Sequence, residues 1–221
     1  MGYISVKLLD ERIMESKQKI EENIQKLYSP IESYRQELVE KFSPLYDVGL
    51  KLEMEVFLSS EVKKFSESCE KIKYIKVFYY RIMEITSNKL FNIVRVNQID
   101  IIKNMMLLYS DYSGRILNQM LDRHQERSRR ICERFERLSI TSLTLPENTE
   151  ELMRMGKYME RATSAFMDKM KVEIRNVIKE FTQLTELTVF AEDHIHLNTE
   201  AVLWLHNIKP IFHQNSLVCS K

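Results

Sequence analysis

Glycine and proline are scarce, with four of each in 221 residues. So few turn formers cannot divide the chain into many short elements, and a small number of long helices is expected. Cysteine is thin as well. Cys69, Cys132 and Cys219 lie far apart without a CxxC pair, so free thiols in a reducing compartment are expected rather than a disulfide framework. Neither sign of charge dominates: 33 basic residues face 32 acidic ones, which gives no general attraction to nucleic acid or anionic membranes. No apolar run approaches the roughly 20 residues of a membrane-spanning helix, and the charges at Lys7 and Asp10 speak against a secretory leader. The opening MGYISV has Val6 where a myristoylation signal requires Ser or Thr, and Cys219 stands third from the end, which fails the prenylation box. The expectation is a soluble intracellular chain with no membrane and no nucleic-acid partner.

Reaction-centre motifs are missing too. A phosphate-binding loop needs clustered glycines whose amides surround the anion. Gly2, Gly49, Gly114 and Gly156 start no such loop, and Gly156-Lys157 is followed by Tyr158 inside a helical pattern. No GxGxxG, GxSxG or HExxH occurs. No catalytic residue and no cofactor is therefore assigned. Asp193, His194, His196, His206 and His213 assemble into a metal site only on paper. The HIH spacing suits a strand better than a zinc-binding helix, and no cysteine pair joins it, so solvated or capping histidines are expected and no metal is assigned. The basic stretch RHQERSRRICERFER (123 to 137) has Glu126, Glu133 and Glu136 interleaved at spacings that pair with Arg129, Arg130 or Arg137 along a helix. No aromatic platform for bases accompanies it, so it reads as a solvated helix face.

What is present is helical patterning in a chain 44% apolar and 29% charged, long enough for one or two domains. Leu9, Ile13, Ile20, Ile24 and Leu27 fall on one helical stripe. Ser29-Pro30 is expected to interrupt it, because the residue before proline is pushed out of the helical region. Ile31, Leu38, Leu45 and Leu52 then recur every seven residues, with Tyr34 and Val48 beside them. Ser43 reads as a cap with Pro44 in the first turn. A further helix is expected from Ser59 or Ser60, with Val62, Phe65, Cys69, Ile72, Tyr79 and Ile82 as its stripe. TSNKLFNIVRVN (86 to 97) is β-branched with near two-residue alternation and reads as an extended connector or short strand.

Helical spacing returns with Ile102, Met106, Tyr109, Ile116 and Met120 and continues through Leu117, Leu121, Ile131, Phe135 and Leu138. An unbroken helix there of about 40 residues reaches roughly 60 Å, with Gly114 as a place for a local bend. Pro146 stops that segment. Asn148 then stands as a cap with Glu151 in capping-box position, and Glu147, Glu150 and Glu151 place negative charge at the positive helix end. Leu152, Met155, Met159, Ala162, Phe166, Met170, Val177, Phe181 and Leu184 supply the apolar face. From Phe190 onward, with the only tryptophan, four of the five histidines and Pro210, short helical turns and loop are expected. The twelve methionines read mainly as fillers of irregular helical cores.

These residues carry a resemblance. ICERFERLSITSLTLPENTEELMRMGKYM (131 to 159) resembles the tail of axonemal dynein heavy chains, where an ICxxF helix end leads through a loop to P-x-(S/T)-x-EEL and a long helix. DHIHLNTEAVLWLHNIKPIF (193 to 212) is similar to the family's later block, in the same order and at a matching separation. YSPIESYRQEL (28 to 38) and NKLFNIVRVNQIDI (88 to 101) agree more loosely. On this match Pro146, Asn148, Glu150, Glu151 and Leu152 take the helix-start positions. Asp193, Leu197, Asn198, Trp204, Ile208, Pro210 and Ile211 take the second block. Leu205 stands where family members often have proline.

The resemblance implies a piece of the heavy-chain tail just before the motor's linker: a fragment, short isoform or truncated product without the AAA+ ring. Its role would be to position and load-couple an ATP-driven motor moving toward microtubule minus ends. It implies partners among dynein heavy, intermediate or light chains and axonemal microtubule structures, and a location in the cytoskeleton of the ciliary axoneme. The expected fold is all-α: an elongated bundle of long helices and helical hairpins with a short extended connector near 86–97. Its expected parts are an N-terminal helical tail segment (1–97), a long-helix hairpin (98–190) and a pre-linker segment (191–221). Rival readings are a generic helical scaffold or adaptor unrelated to dynein, a membrane-shaping helical dimer, and an enzyme using the histidine cluster.

Overall fold

The computed structural model describes residues 3–60 and 64–219, with the side chains of 3–9, 48–50, 218 and 219 outside the description. Val62 and the side chains of Leu9, Val48 and Cys219 therefore lie outside the described residues. The architecture is all-α as expected; among the described residues the one sheet is a two-stranded hairpin. The chain forms two compact units, residues 1–63 with 70–115 and residues 64–69 with 116–221.

The first unit holds α1 (Tyr3–Tyr46), α2 (Val48–Ser59) and, from residue 70 onward, α3 (Phe65–Met83). The expected interruption at Ser29-Pro30 does not occur, because α1 passes through both Pro30 and Pro44. A proline removes one hydrogen bond, to the carbonyl four residues back. At Pro44 the Ser43 hydroxyl takes that place by donating to the Glu40 carbonyl at 3.3 Å. Ser43 is thus an internal side-chain substitute rather than a cap. At Pro30 the affected turn is exposed, so water can solvate the released Lys26 carbonyl. The helix breaks instead at Asp47, whose carbonyl accepts the Lys51 amide at 3.1 Å in α2. Ser59 closes α2, and its hydroxyl donates to the Val56 carbonyl. The start of α3 is therefore Phe65 rather than Ser59 or Ser60, with the Lys64 amide donating to the Glu67 carboxylate at 3.3 Å.

The stripe of α1 is covered unevenly. Ile13, Ile20 and Ile24 are exposed, Ile31, Tyr34 and Leu38 half-buried, and Phe42 and Leu45 buried. The connector at 86–97 is a hairpin: β1 (Asn88–Phe91) pairs antiparallel with β2 (Val94–Asn97), Phe91 opposite Val94. That register leaves a two-residue loop, and Asn92 adopts φ 52, a left-handed conformation that asparagine tolerates. The half-buried face carries Lys89, Phe91, Val94 and Val96. Phe91 packs on Tyr34 at 5.4 Å between ring centroids, and the Lys89 ammonium sits 3.5 Å from the Tyr34 ring centre. The Tyr34 hydroxyl donates to Gln98 Oε1 at 2.8 Å, which ties α1 to the start of α4.

Helix α4 spans Ile99–Leu143 without ending at Gly114, as the long apolar stripe predicts. Its last turns, with α5 (Thr149–Arg161), a π-helical turn (Ala162–Phe166), α6 (Met167–Thr185) and α7 (Glu192–Cys219), build the second unit. At the start of α5 Asn148 caps as expected, but the Glu151 carboxylate reaches back to the amide before the cap, that of Glu147, rather than to that of Asn148 itself. Asn148 Oδ1 accepts the Glu151 amide at 2.9 Å, and the Glu151 carboxylate accepts the Glu147 amide at 2.9 Å. Replacing Asn148 by Ala is expected to destabilise the second unit by about 1 kcal/mol, read as a lower denaturation midpoint; Asn148→Ser should nearly restore it.

In the π-helical turn the Thr163 hydroxyl donates to the Met159 carbonyl at 2.9 Å and Ser164 to Glu160 at 2.7 Å. After this turn Met167 and Ile174 line the core beside Met170 and Val177, at three- and four-residue spacing on one helix face. Beyond it the sequence reading needs correction. Residues 192–219 form one helix containing Pro210 rather than short turns and loop. Pro210 is exposed, as is His206 four residues back, so the lost hydrogen bond opens to water.

Candidate functional site

The second unit is an up-down-up arrangement. Helix α6 runs antiparallel to α4, as the ion pairs Arg134–Glu173 (2.7 Å) and Arg127–Glu180 require. Helix α7 runs parallel to α4: His124 meets His194, Phe135 meets Trp204, and Ser142 meets Asn215. The two stretches that carry the family resemblance therefore pack against each other. Ile131, Cys132, Phe135 and Leu138 from the first share one core with Ala201 and Ile208 from the second, and Leu197, Trp204, Leu205 and Ile211 pack onto it. Trp204 stacks on Phe135 with ring centroids 5.7 Å apart and planes 2° from parallel. Phe166 meets the same ring edge-on at 5.8 Å.

The other residues of the two blocks are less enclosed. Pro146 is half-buried in the α4–α5 loop, Leu152 half-buried, and Glu150 pairs with Arg154 on the surface. Asp193 and Pro210 are exposed, while Asn198 is buried with its Oδ1 unpartnered. Cys132 is a buried free thiol. Burial, with Glu200 and Glu136 nearby, pushes its pKa up to about 11, so it is unreactive at neutral pH. Met54, Met105, Met120, Met159, Met167 and Met170 are buried, in line with the core-filling reading.

The basic stretch behaves as its spacing indicates. Arg129 and Arg130 both bind Glu126, and Arg137 binds Glu133. The partners across to α6, Glu173 and Glu180, were not legible from spacing within α4. Burial raises the pKa of Glu180 against the lowering effect of Arg127.

The histidines also require a correction. His196, His206 and His213 are exposed, but His194 is buried and meets His124, which is 1% exposed and lies outside the C-terminal cluster. His124 Nδ1 and His194 Nε2 are 2.9 Å apart. His124 Nε2 faces the Val177 carbonyl at 3.3 Å, and Gln125 Nε2 faces His194 Nδ1 at 3.1 Å. Phe181 and Phe190 enclose the pair; they stack on each other at 4.5 Å. Burial holds the pKa of His124 down to about 4, against the raising effect of the Val177 carbonyl, and also lowers that of His194. Among the described residues no group of three or more His, Cys, Asp or Glu is placed to hold a metal ion, and no helix is long and apolar enough to cross a membrane.

In the first unit a groove of about 730 Å³ is lined chiefly by Leu38, Val39, Phe42, Pro44, Ile101 and Met105. Arg35, Ser43, Tyr46, Asp47 and Asn104 complete its lining.

No family model matches the chain. Curated relatives do. Human dynein axonemal heavy chain 12 is 24% identical over 177 residues, covering 80% of this chain and 6% of the relative. The rat protein is 23% identical over 156 residues, covering 71% of this chain and 5% of the relative. The mouse protein is 25% identical over 104 residues, covering 47% and 3%. The chain is thus similar to a segment of these dynein heavy chains and spans a small fraction of their length.

Proposed function

We propose that the chain is a structural segment of the tail of a ciliary dynein heavy chain, lying just before the linker. In that place it positions the ATP-driven motor and passes load to it during minus-end-directed movement on microtubules. The observation that carries this reading is the shared core. Two stretches that resemble the family separately, 131–159 and 193–212, meet through Phe135, Trp204 and Ile208. A generic adaptor has no need for both blocks to keep that packing. Long helices with continuous apolar seams suit load transfer because they are stiff along their axes. Partners on this reading are other dynein heavy, intermediate or light chains and axonemal microtubule structures, and the setting is the ciliary axoneme.

The test is expression of the tagged chain in ciliated cells, followed by high-salt extraction of axonemes and affinity recovery. Axonemal dynein chains are expected with it. Exclusion from the axoneme together with recovery of no dynein chain would favour the unrelated helical scaffold. Stoichiometric ATP turnover by the purified chain would also overturn the structural role.

A further inference from the structure

We propose that the start of α7 is held by a proton-releasable latch, in which His124 of α4 and His194 of α7 share one ring hydrogen in a relay that persists only while the pair is neutral. The relay has a single consistent arrangement. The Val177 carbonyl only accepts, so His124 Nε2 carries a hydrogen and donates to it at 3.3 Å, leaving Nδ1 as an acceptor. His194 Nε2–H donates to that nitrogen at 2.9 Å. His194 Nδ1 then accepts from the Gln125 amide at 3.1 Å. Every ring nitrogen is satisfied, and α4, α6 and α7 are tied at one point.

A proton added to His194 Nδ1 faces the amide hydrogens of Gln125, which must turn to offer Oε1. A second, on His124 Nδ1, sets N–H against N–H across 2.9 Å. The surroundings give a cation little support. On α4, Asp122 favours charge on His194 while Arg127 opposes it on His124, and Arg127 is bound by Glu180 of α6. Glu192 and Asp193 of α7 are exposed, and Phe181 and Phe190 bring no charge. His194 also lies in the first turn of α7, where the helix dipole disfavours a positive charge. Both histidines have folded pKa values below the ordinary one near 6.5. The stability they confer is therefore present above about pH 6.5 and is lost as pH falls toward 4. Downstream, Ala201, Trp204 and Ile208 remain in the core, so release is confined to 187–200. The latch rests on these contacts and not on the proposed function.

Amide hydrogen exchange on the 221-residue chain tests it, at pH 7.5 and 5.0 with intrinsic rates corrected. Protection of 187–200 is expected to fall more than 10-fold while that of 201–215 changes less than 3-fold. Gln125→Glu supplies a carboxylate for His194 Nδ1–H, so it should keep 187–200 protected at pH 5.0. His196→Asn, at an exposed histidine, should behave as wild type. Equal protection of the two segments at both pH values, their simultaneous loss, or a Gln125→Glu variant that opens like wild type would each overturn the proposal.

Discussion

Truncating Phe135 to Ala is expected to destabilise the second unit by about 4 kcal/mol. Its ring is fully buried, stacked on Trp204 on one side and met edge-on by Phe166 on the other. Removing it takes away the transfer energy of a whole aromatic side chain, and long helices fixed at several layers cannot collapse into the space. With a urea slope of about 2 kcal/mol per molar, the midpoint should drop by about 2 M. Trp204 is the only tryptophan and lies at the site, so its fluorescence reports the transition directly. Phe135→Leu refills much of the volume and should cost less than half as much. A Phe135→Ala midpoint within 0.5 M, an estimate on the same slope, would mean that the two family-like stretches do not share this core.

What was legible in the sequence was local. The α5 start could be read because a cap, its Glu151 partner and Pro146 lie within a few residues of one another. The Arg–Glu pairs of α4 could be read because helix geometry fixes which residues are neighbours at three and four positions. The prolines misled because their cost depends on surroundings: the Ser43 hydroxyl replaces the bond that Pro44 cannot make, and exposure does the same for Pro30 and Pro210. The hairpin was half visible. Its alternation marked extended chain, but the turn at Asn92-Ile93 lacks the glycine that usually advertises one. His194 was misjudged because its partner, His124, lies 70 residues away, and no periodicity links positions so far apart. Met167 and Ile174 lie three or four residues from Met170 and Val177 on the same helical face, so helical periodicity was sufficient to mark them.

Tyr34→Phe is expected to cost about 2 kcal/mol in the first unit, far more than the loss of one exposed hydroxyl. Gln98 is 0% exposed, and its Nε2 already has no partner. The Tyr34 hydroxyl is the donor to its Oε1, at 2.8 Å. Without that donor the whole amide is buried unsatisfied, and such a group carries its full desolvation penalty. The reverse change should be milder. Gln98→Leu removes the buried amide, and the half-buried Tyr34 can turn its hydroxyl toward water. The double variant should therefore be more stable than Tyr34→Phe alone, by about 1 kcal/mol. Because Gln98 begins α4 by accepting the Ile102 amide at 3.0 Å, exchange protection in the hairpin and the first turns of α4 should fall in Tyr34→Phe and recover in the double variant. Equal and additive losses for the two single changes would show that the tyrosine and the amide do not act as a pair.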